Sequence, residues 1–238
     1  MTTNVKTEER VVARVYLIRH GETQENRDEI VQGQMDTLLN AQGKAQSVLL
    51  GGHAMMRSLC IAKMMTSDLS RAVETATHVV VHHPDVQPIR QPELRERAMG
   101  KLEGTRGGWG GAKALKEDPP AETPSAFAKR TVDWWNRQVV DWCRSRVEFA
   151  TNDYTGPKDV VVTTHGGFIM TLVQTLLGSR KVRLDDGVVL GRCYNTSVTE
   201  IAVLANGKGI LRSFGRIDHL KEGQSDALGS NADVDGFT

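Results

Sequence analysis

The residues best suited to chemistry are an arginine and a histidine that follow a short apolar run. Residues 15–18 are apolar, and Arg19, His20, Gly21 and Glu22 come directly after them. The pattern predicts a strand that ends in a sharp turn and exposes Arg19 and His20 to solvent. A neutral imidazole can attack phosphorus while the guanidinium neutralises the phosphate oxygens, and its second ring nitrogen should donate to a backbone carbonyl. The tetrad therefore predicts phosphoryl transfer with His20 as the nucleophile.

Two distant segments place further groups at strand ends. Arg71 lies in the first turn of a predicted helix, and a guanidinium binds phosphate oxygens in a bidentate manner. His165 follows the β-branched residues 160–164 and precedes a helix, where free backbone N–H groups favour an anion. The carboxyl ends of parallel strands meet at one edge of a sheet, so we expect Arg19, His20, Arg71 and His165 to converge on one phosphate.

Hydrophobic periodicity predicts the elements that carry these groups. Strands are expected at residues 11–18, 60–66 and 160–164, and a closing hairpin pairs residues 195–204 with 210–214 across Asn206-Gly207. Helices are expected after the cap Asn40 with Ala41, Ala45, Val48 and Leu49 on the apolar stripe, after a cap at Ser67 or Asp68, from Thr123-Pro124 towards Phe149, and over residues 166–178. The alternation predicts an α/β fold, a three-layer α/β/α sandwich with a mostly parallel central sheet and an antiparallel edge strand.

Four segments together resemble one known family. They are residues 19–23, 67–72, 94–97 and 164–167, which read R-H-G-E-T, S-D-L-S-R-A, L-R-E-R and T-H-G-G. In content and order they are similar to the histidine phosphatase superfamily, and the resemblance implies its phosphoglycerate mutase-like fold from about residue 12 to about residue 214. It implies that His20 is the nucleophile and that Glu96 is the general acid and base. It also implies phosphate or substrate contacts from Asn26, Gln32, Gly33 and Gly166.

Structural interpretations of the same residues compete with the catalytic ones. Arg71 can pair with Glu74, three positions along the helix, instead of binding phosphate. Glu93 and Glu103 share a loop with Glu96, so the general acid is one of three nearby carboxyl groups. The aromatic stripe of Trp134, Trp135 and Trp142 is expected to be core packing.

The irregular residues 92–123, which we call the substrate mouth, bear on which relatives the chain resembles most. Mutases of the family carry a longer insertion with a paired arginine, and residues 105–111 contain no such pair. The resemblance is closest to fructose-2,6-bisphosphatase-like and broad-specificity phosphatases, which implies hydrolysis of fructose-2,6-bisphosphate, another sugar phosphate or a phosphoglycerate. A cofactor-dependent phosphoglycerate mutase and a non-catalytic phosphate-binding scaffold are the alternatives. Lys101, Arg106 and Lys113 are candidates for holding a second phosphate.

The composition favours an enzyme that acts on a small molecule. Lys and Arg number 30 against 29 Asp and Glu in 238 residues, which argues against a nucleic-acid or membrane partner. Three scattered cysteines and the lack of a long apolar span predict a cytoplasmic protein with reduced thiols. One domain is expected over residues 10–220, with flexible tails at 1–9 and 221–238. The arginines and histidines supply the charge that a metal supplies elsewhere, so neither metal nor cofactor is expected; the oligomeric state stays open.

Overall fold

The computed structural model describes residues 10–106, 120–148 and 156–221, and a seven-stranded sheet runs through its centre. The strands are β1 (Val11–Arg19), β2 (Ile61–Thr66), β3 (Ile89–Arg90), β4 (Lys158–Thr164), β5 (Val182–Leu184), β6 (Val198–Leu204) and β7 (Gly209–Arg216). Their order across the sheet is β3-β2-β4-β1-β6-β7-β5. Strand β6 pairs antiparallel with β1 and with β7, and the other described pairings are parallel. The mostly parallel α/β sheet and the closing hairpin are confirmed.

Helices pack on both faces of the sheet. They are α1 (Gln24–Arg27), α2 (Ala41–Gly52), α3 (Ala54–Arg57), α4 (Ser70–Val79), α5 (Pro124–Trp135), α6 (Asp141–Glu148), α7 (Gly166–Gly178) and α8 (Asp218–Lys221). Strand β1 shows the layering, since Val15 and Leu17 join one apolar cluster while Tyr16 and Ile18 join another. The first cluster includes residues of α5 and α7, and the second includes residues of α2, α3 and α4. Alternate side chains of a strand point to opposite faces, so the sheet is buried on both sides.

Helix α2 begins after the predicted cap, because the side chain of Asn40 accepts a hydrogen bond from the backbone N–H of Gly43 at 2.8 Å. The predicted apolar stripe on this helix is wrong. Ala41, Ala45 and Val48 are exposed and Leu49 is only partly buried, whereas Gly43, Gln46, Ser47 and Leu50 are buried. The reason is that the middle of α2 packs against the backbone of Glu22 in the turn after β1, through Gly43 and Gln46, and that Leu50 near its end joins the second apolar cluster.

The cap predicted for α4 is also wrong. Leu69 holds the N-cap position and makes no side-chain capping bond. The hydroxyl of Ser67 lies 2.9 Å from His165, and the carboxylate of Asp68 binds Arg95 at 2.6 and 2.7 Å. Both side chains suited to capping are therefore engaged in contacts with distant segments.

Helix α5 begins at the predicted cap, where the Thr123 hydroxyl accepts from Ala126 N–H. A π-helical turn, Asn136–Val140, joins α5 to α6, so the expected single helix contains an interruption. The aromatic stripe packs in the core as predicted, with Trp134 and Trp135 buried and Trp142 partly buried. Phe149, the tails at 1–9 and 222–238, and residues 107–119 of the substrate mouth lie outside the described residues.

Candidate active site

The turn after β1 is buried rather than exposed. Arg19 and His20 are both 0% exposed, which corrects the expectation that the turn presents them to solvent. Helix α2 covers the turn so closely that a Cβ on Gly21 would clash with the carbonyl of Gly43. The N–H of His20 donates to Thr164 O at 2.9 Å, which ties the end of β1 to the end of β4.

The orientation of the His20 ring follows from one hydrogen bond. Its Nδ1 lies 2.7 Å from the carbonyl oxygen of Gly21, and a carbonyl can only accept, so Nδ1 carries the proton. The predicted tautomer is confirmed, and Nε2 is the nitrogen with a lone pair for nucleophilic attack. The ring of His165 lies beside it, with centroids 5.2 Å apart.

Arg71 is held by the loop that carries Gly33. Its Nη2 donates to Gly33 O at 2.9 Å and its Nη1 to Met35 O at 2.6 Å, and the side chain is fully buried. Glu74, the alternative partner for Arg71, pairs with Lys44 at 3.2 Å. The guanidinium is therefore fixed in the interior beside Gly33, as a phosphate clamp requires.

Gln32 and Gly33 belong to the surroundings of Arg71. The Thr37 hydroxyl donates to Gln32 Oε1 at 2.6 Å and accepts from Arg71 Nη1 at 3.3 Å. Gly33 has a φ of +51°, and a Cβ there would clash with the Glu103 carboxylate. Glycine is needed here for both conformation and space.

The backbones of Arg71 and Gly21 are linked through the side chain of a threonine. The Thr75 hydroxyl donates to Arg71 O at 2.8 Å and accepts from the Gly21 N–H at 2.9 Å. Thus α4 and the turn after β1 are hydrogen-bonded to each other, although β4 lies between β2 and β1 in the sheet.

Glu96 lies at the amino end of α7 and is 7% exposed. One carboxylate oxygen accepts from Arg97 N–H at 2.7 Å and the other from Gly167 N–H at 2.8 Å. A Cβ on Gly167 would clash with this carboxylate. Because His165 and Gly166 immediately precede Gly167, Glu96 is brought to the same helix end as His165. Glu103 instead accepts from Gln34 N–H and Met99 N–H, and Glu93 is exposed.

His165 occupies the N-cap position of α7, and its Nε2 lies 2.9 Å from the Ser67 hydroxyl. Gly166 follows as the first residue of the helix, whose leading N–H groups carry a partial positive charge. Arg19 reaches the opposite side of the turn, where its Nη1 donates to Cys193 O at 2.8 Å. Burial raises the pKa of the Cys193 thiol, which therefore stays neutral beside the site.

Asn26 is oriented by Thr23, the N-cap residue of α1, and by Asn195, which was not predicted to belong to the site. Its Oδ1 accepts from Thr23 N–H at 3.2 Å and from Asn195 Nδ2 at 3.2 Å. Oδ1 is thus committed to the protein, so the group that Asn26 can offer a phosphate is its Nδ2 donor.

The missed residues are Asn195 and Thr196, which precede β6. The Asn195 Nδ2 donates to His20 O at 3.0 Å, and the Thr196 N–H lies 3.0 Å from Arg19 O and 3.2 Å from His20 O. Thr196 has a φ of +58°, which is uncommon for a β-branched residue. Both residues fell inside the strand predicted over 195–204, and no residue pattern marked either of them as part of the site.

Of the three candidates for a second phosphate, Lys101 and Arg106 lie among the described residues, and no described contact joins either of them to the groups above. Lys101 and Arg106 are exposed, and Arg106 lines a surface pocket with Arg27, Asp28 and Glu29. Lys113 lies outside the described residues. The described part of the chain contains no group of three or more His, Cys, Asp or Glu able to hold a metal, and within it no helix is long and apolar enough to cross a membrane.

Comparisons with known proteins agree with this geometry. A model of the histidine phosphatase superfamily (branch 1) matches residues 15–214. A probable phosphatase of Schizosaccharomyces pombe is 30% identical, over 90% of this chain and 99% of the relative. A broad-specificity phosphatase of Saccharomyces cerevisiae is 29% identical, over 90% of each chain. The crystal structure of a phosphoglycerate mutase from Bacillus anthracis shares the fold, with a TM-score of 0.70 and 23% identity over 92% of this chain and 100% of that chain.

Proposed function

The chain belongs to the histidine phosphatase superfamily, and from that premise we propose that it is a phosphomonoester hydrolase that works through phosphohistidine. The observation that carries the proposal is the hydrogen bond from His20 Nδ1 to the Gly21 carbonyl, which leaves Nε2 as the nucleophile. Buried Arg19 and Arg71 flank the turn and supply positive charge without a metal.

In the first half-reaction, His20 Nε2 attacks phosphorus and the bond from phosphorus to the ester oxygen breaks. Arg19, Arg71 and His165 hold the phosphoryl oxygens, and Glu96 gives its proton to the leaving alkoxide. In the second half-reaction, ionised Glu96 takes a proton from water, which attacks phosphorus. The bond from nitrogen to phosphorus then breaks, and neutral His20 and inorganic phosphate result.

The proposed substrate is a small phosphorylated metabolite, such as fructose-2,6-bisphosphate, another sugar phosphate or a phosphoglycerate. The similarity to a broad-specificity phosphatase supports this range. The chain has 30 basic and 29 acidic residues, so it lacks the excess of positive charge that is typical of nucleic-acid-binding proteins. We place the reaction in the cytoplasm, which the three unpaired cysteines support.

The nucleophile is tested by replacing His20. His20→Ala should abolish phosphate release from a panel of metabolites while the far-ultraviolet circular dichroism stays that of the parent protein. His82→Ala, a substitution of an exposed histidine, is the matched control and should keep full activity. A rapid-quench experiment with labelled ester should trap acid-labile phosphate on the parent protein. Turnover by His20→Ala at the parent rate would overturn the proposal.

The general acid is tested by leaving-group dependence. Glu96→Gln should lower kcat/KM for an alkyl phosphate by about 10²–10⁴-fold, the usual size of such a term. p-Nitrophenyl phosphate, whose leaving group needs little protonation, should lose far less. Equal losses on the two esters would remove Glu96 from the acid role. Interconversion of 2- and 3-phosphoglycerate that depends on the bisphosphate would instead identify a mutase.

A further inference from the structure

The side chain of Arg130 donates hydrogen bonds to three backbone carbonyls of the loop that carries Glu96. Arg130 of α5 donates from Nη1 to Glu93 O at 2.8 Å and to Arg95 O at 2.8 Å, and from Nη2 to Glu96 O at 3.1 Å. Backbone carbonyls are obligatory acceptors, and these three point at one planar donor group. The guanidinium therefore fixes the course of the chain on both sides of Arg95.

A carboxylate closes this arrangement. Glu122 binds Arg130 through both oxygens, at 3.0 Å to Nε and 2.8 Å to Nη2, and the two side chains are only 17% and 20% exposed. Glu122 also accepts from Ala98 N–H through its side chain at 3.3 Å, and its carbonyl accepts from Arg97 Nε at 2.6 Å. The ion pair thus holds the chain before Glu96 through Arg130 and the chain after it through Glu122.

The pair is anchored to the same helix that binds the Glu96 carboxylate. The Arg130 guanidinium lies over the ring of Phe127, 4.8 Å from its centroid. Phe127 packs edge to face on Phe168 of α7, with centroids 6.3 Å apart. Phe168 follows Gly167, whose N–H donates to Glu96. The backbone of Glu96 is therefore held by α5 and its side chain by α7, and these two helices pack against each other.

We propose that Arg130, oriented by Glu122, is the positioning residue for the general acid Glu96. The inference rests on the proposed function and deepens it. A general acid must lie within hydrogen-bonding reach of the ester oxygen, and displacements of about 1 Å can cost about 10²-fold in rate. Lysine would keep the charge of Arg130 but cannot supply a planar fork to several carbonyls. Arg130 touches no reacting atom, so its effect is confined to the step that needs the proton.

The test compares two esters in Arg130→Lys. We expect kcat/KM for an alkyl phosphate to fall by about 10–10²-fold, while kcat/KM for p-nitrophenyl phosphate changes by less than about threefold. This ratio reports steps up to phosphorylation of His20, where the acid acts. Lys129→Met is the matched control, because Lys129 is the exposed neighbour that pairs with Asp133, and both rates should be unchanged.

The outcomes separate this inference from the proposed function. Equal losses on the two esters, or no loss on either, would overturn the positioning role of Arg130. Failure of Glu96→Gln to discriminate between the esters would remove the general acid, and the inference with it. Discrimination by Glu96→Gln without discrimination by Arg130→Lys would overturn this inference alone. Should Arg130→Lys not fold, Glu122→Gln takes its place, with the same leaving-group effect expected and the same results refuting it.

Discussion

Acid should destabilise this protein through one buried histidine. His219 of α8 is 5% exposed, and its Nε2 lies 2.9 Å from the hydroxyl of Thr196. Burial, together with His53, whose ring centroid is 6.3 Å away, lowers the pKa of His219 to about 4, and Asp218 opposes the shift. Protonation of His219 would place a buried positive charge beside Thr196, next to Asn195, whose side chain binds His20 O.

The magnitude follows from the two pKa values of this imidazole. In the unfolded chain the pKa is about 6.5, so the unfolded state binds the proton first as the pH falls. The stability from keeping His219 neutral is therefore fully present above about pH 6.5 and is lost as the pH falls towards about 4. At 1.36 kcal/mol per pKa unit, the loss is about 2 kcal/mol by about pH 5 and about 3 kcal/mol by about pH 4.

Urea unfolding followed by tryptophan fluorescence measures this loss. The free energy of unfolding of the parent protein and of His219→Gln is compared at about pH 7.5 and about pH 5. The Arg95 guanidinium holds the pKa of Asp68 low, so protonation of Asp68 in acid also lowers the free energy of unfolding. This loss is the same in both proteins and cancels when they are compared. Between about pH 7.5 and about pH 5, the free energy of unfolding of the parent protein should therefore fall by about 2 kcal/mol more than that of His219→Gln.

His82→Gln, at an exposed position, is the control, and its free energy of unfolding should change with pH as that of the parent protein does. Parallel curves for the parent and His219→Gln would refute the claim that burial keeps His219 neutral. Titration of the His219 imidazole by nuclear magnetic resonance gives an independent value.

Three further substitutions test other contacts. Asn195→Ala removes a donor from His20 O and should lower kcat/KM for p-nitrophenyl phosphate by about 10-fold; an unchanged rate would contradict the contact. Gly167→Ala places a methyl group against Glu96, so alkyl phosphate turnover should fall by at least about 10-fold more than aryl phosphate turnover, and equal losses would refute this. Trp134→Ala empties a site that is 1% exposed and should cost about 3–5 kcal/mol in urea unfolding; a loss below about 1 kcal/mol would contradict its core role.

The contact of one His20 ring nitrogen with a backbone carbonyl could be predicted because it depends on neighbouring residues. Strand β1, the turn at Gly21 and the strand-end positions of Arg71 and His165 follow from local pattern and from the rule for parallel sheets. The burial of His20 could not be predicted, because the covering groups come from α2 and from the loop before β6.

The errors on α2 and α4 have a common physical cause. A helix that packs on a turn rich in backbone polar groups buries small and polar residues, so Ser47 is inside and Val48 is outside. Periodicity counts apolar residues and cannot know what faces them. Likewise, Asp68 has the chemistry of a cap, but Arg95, 27 positions along the chain, is the stronger partner in space.

The role of Arg130 lay beyond sequence reasoning for a similar reason. Its acceptors are main-chain carbonyls, which every residue has, so no residue pattern marks them. Only the packing of α5 beside the loop of Glu96 makes the contact specific.

The reversed direction of β6 has a consequence for the order in which the protein is completed during synthesis. Val198 pairs with Ile18, so the loop that leads into β6 reaches the catalytic turn from the last fifth of the chain. A nascent chain that has emerged only to residue 190 already contains Arg19, His20, Arg71, Glu96 and His165, yet lacks Asn195 and Thr196. Phosphatase activity is therefore expected to appear late on the ribosome, after the chemical groups themselves have all been translated.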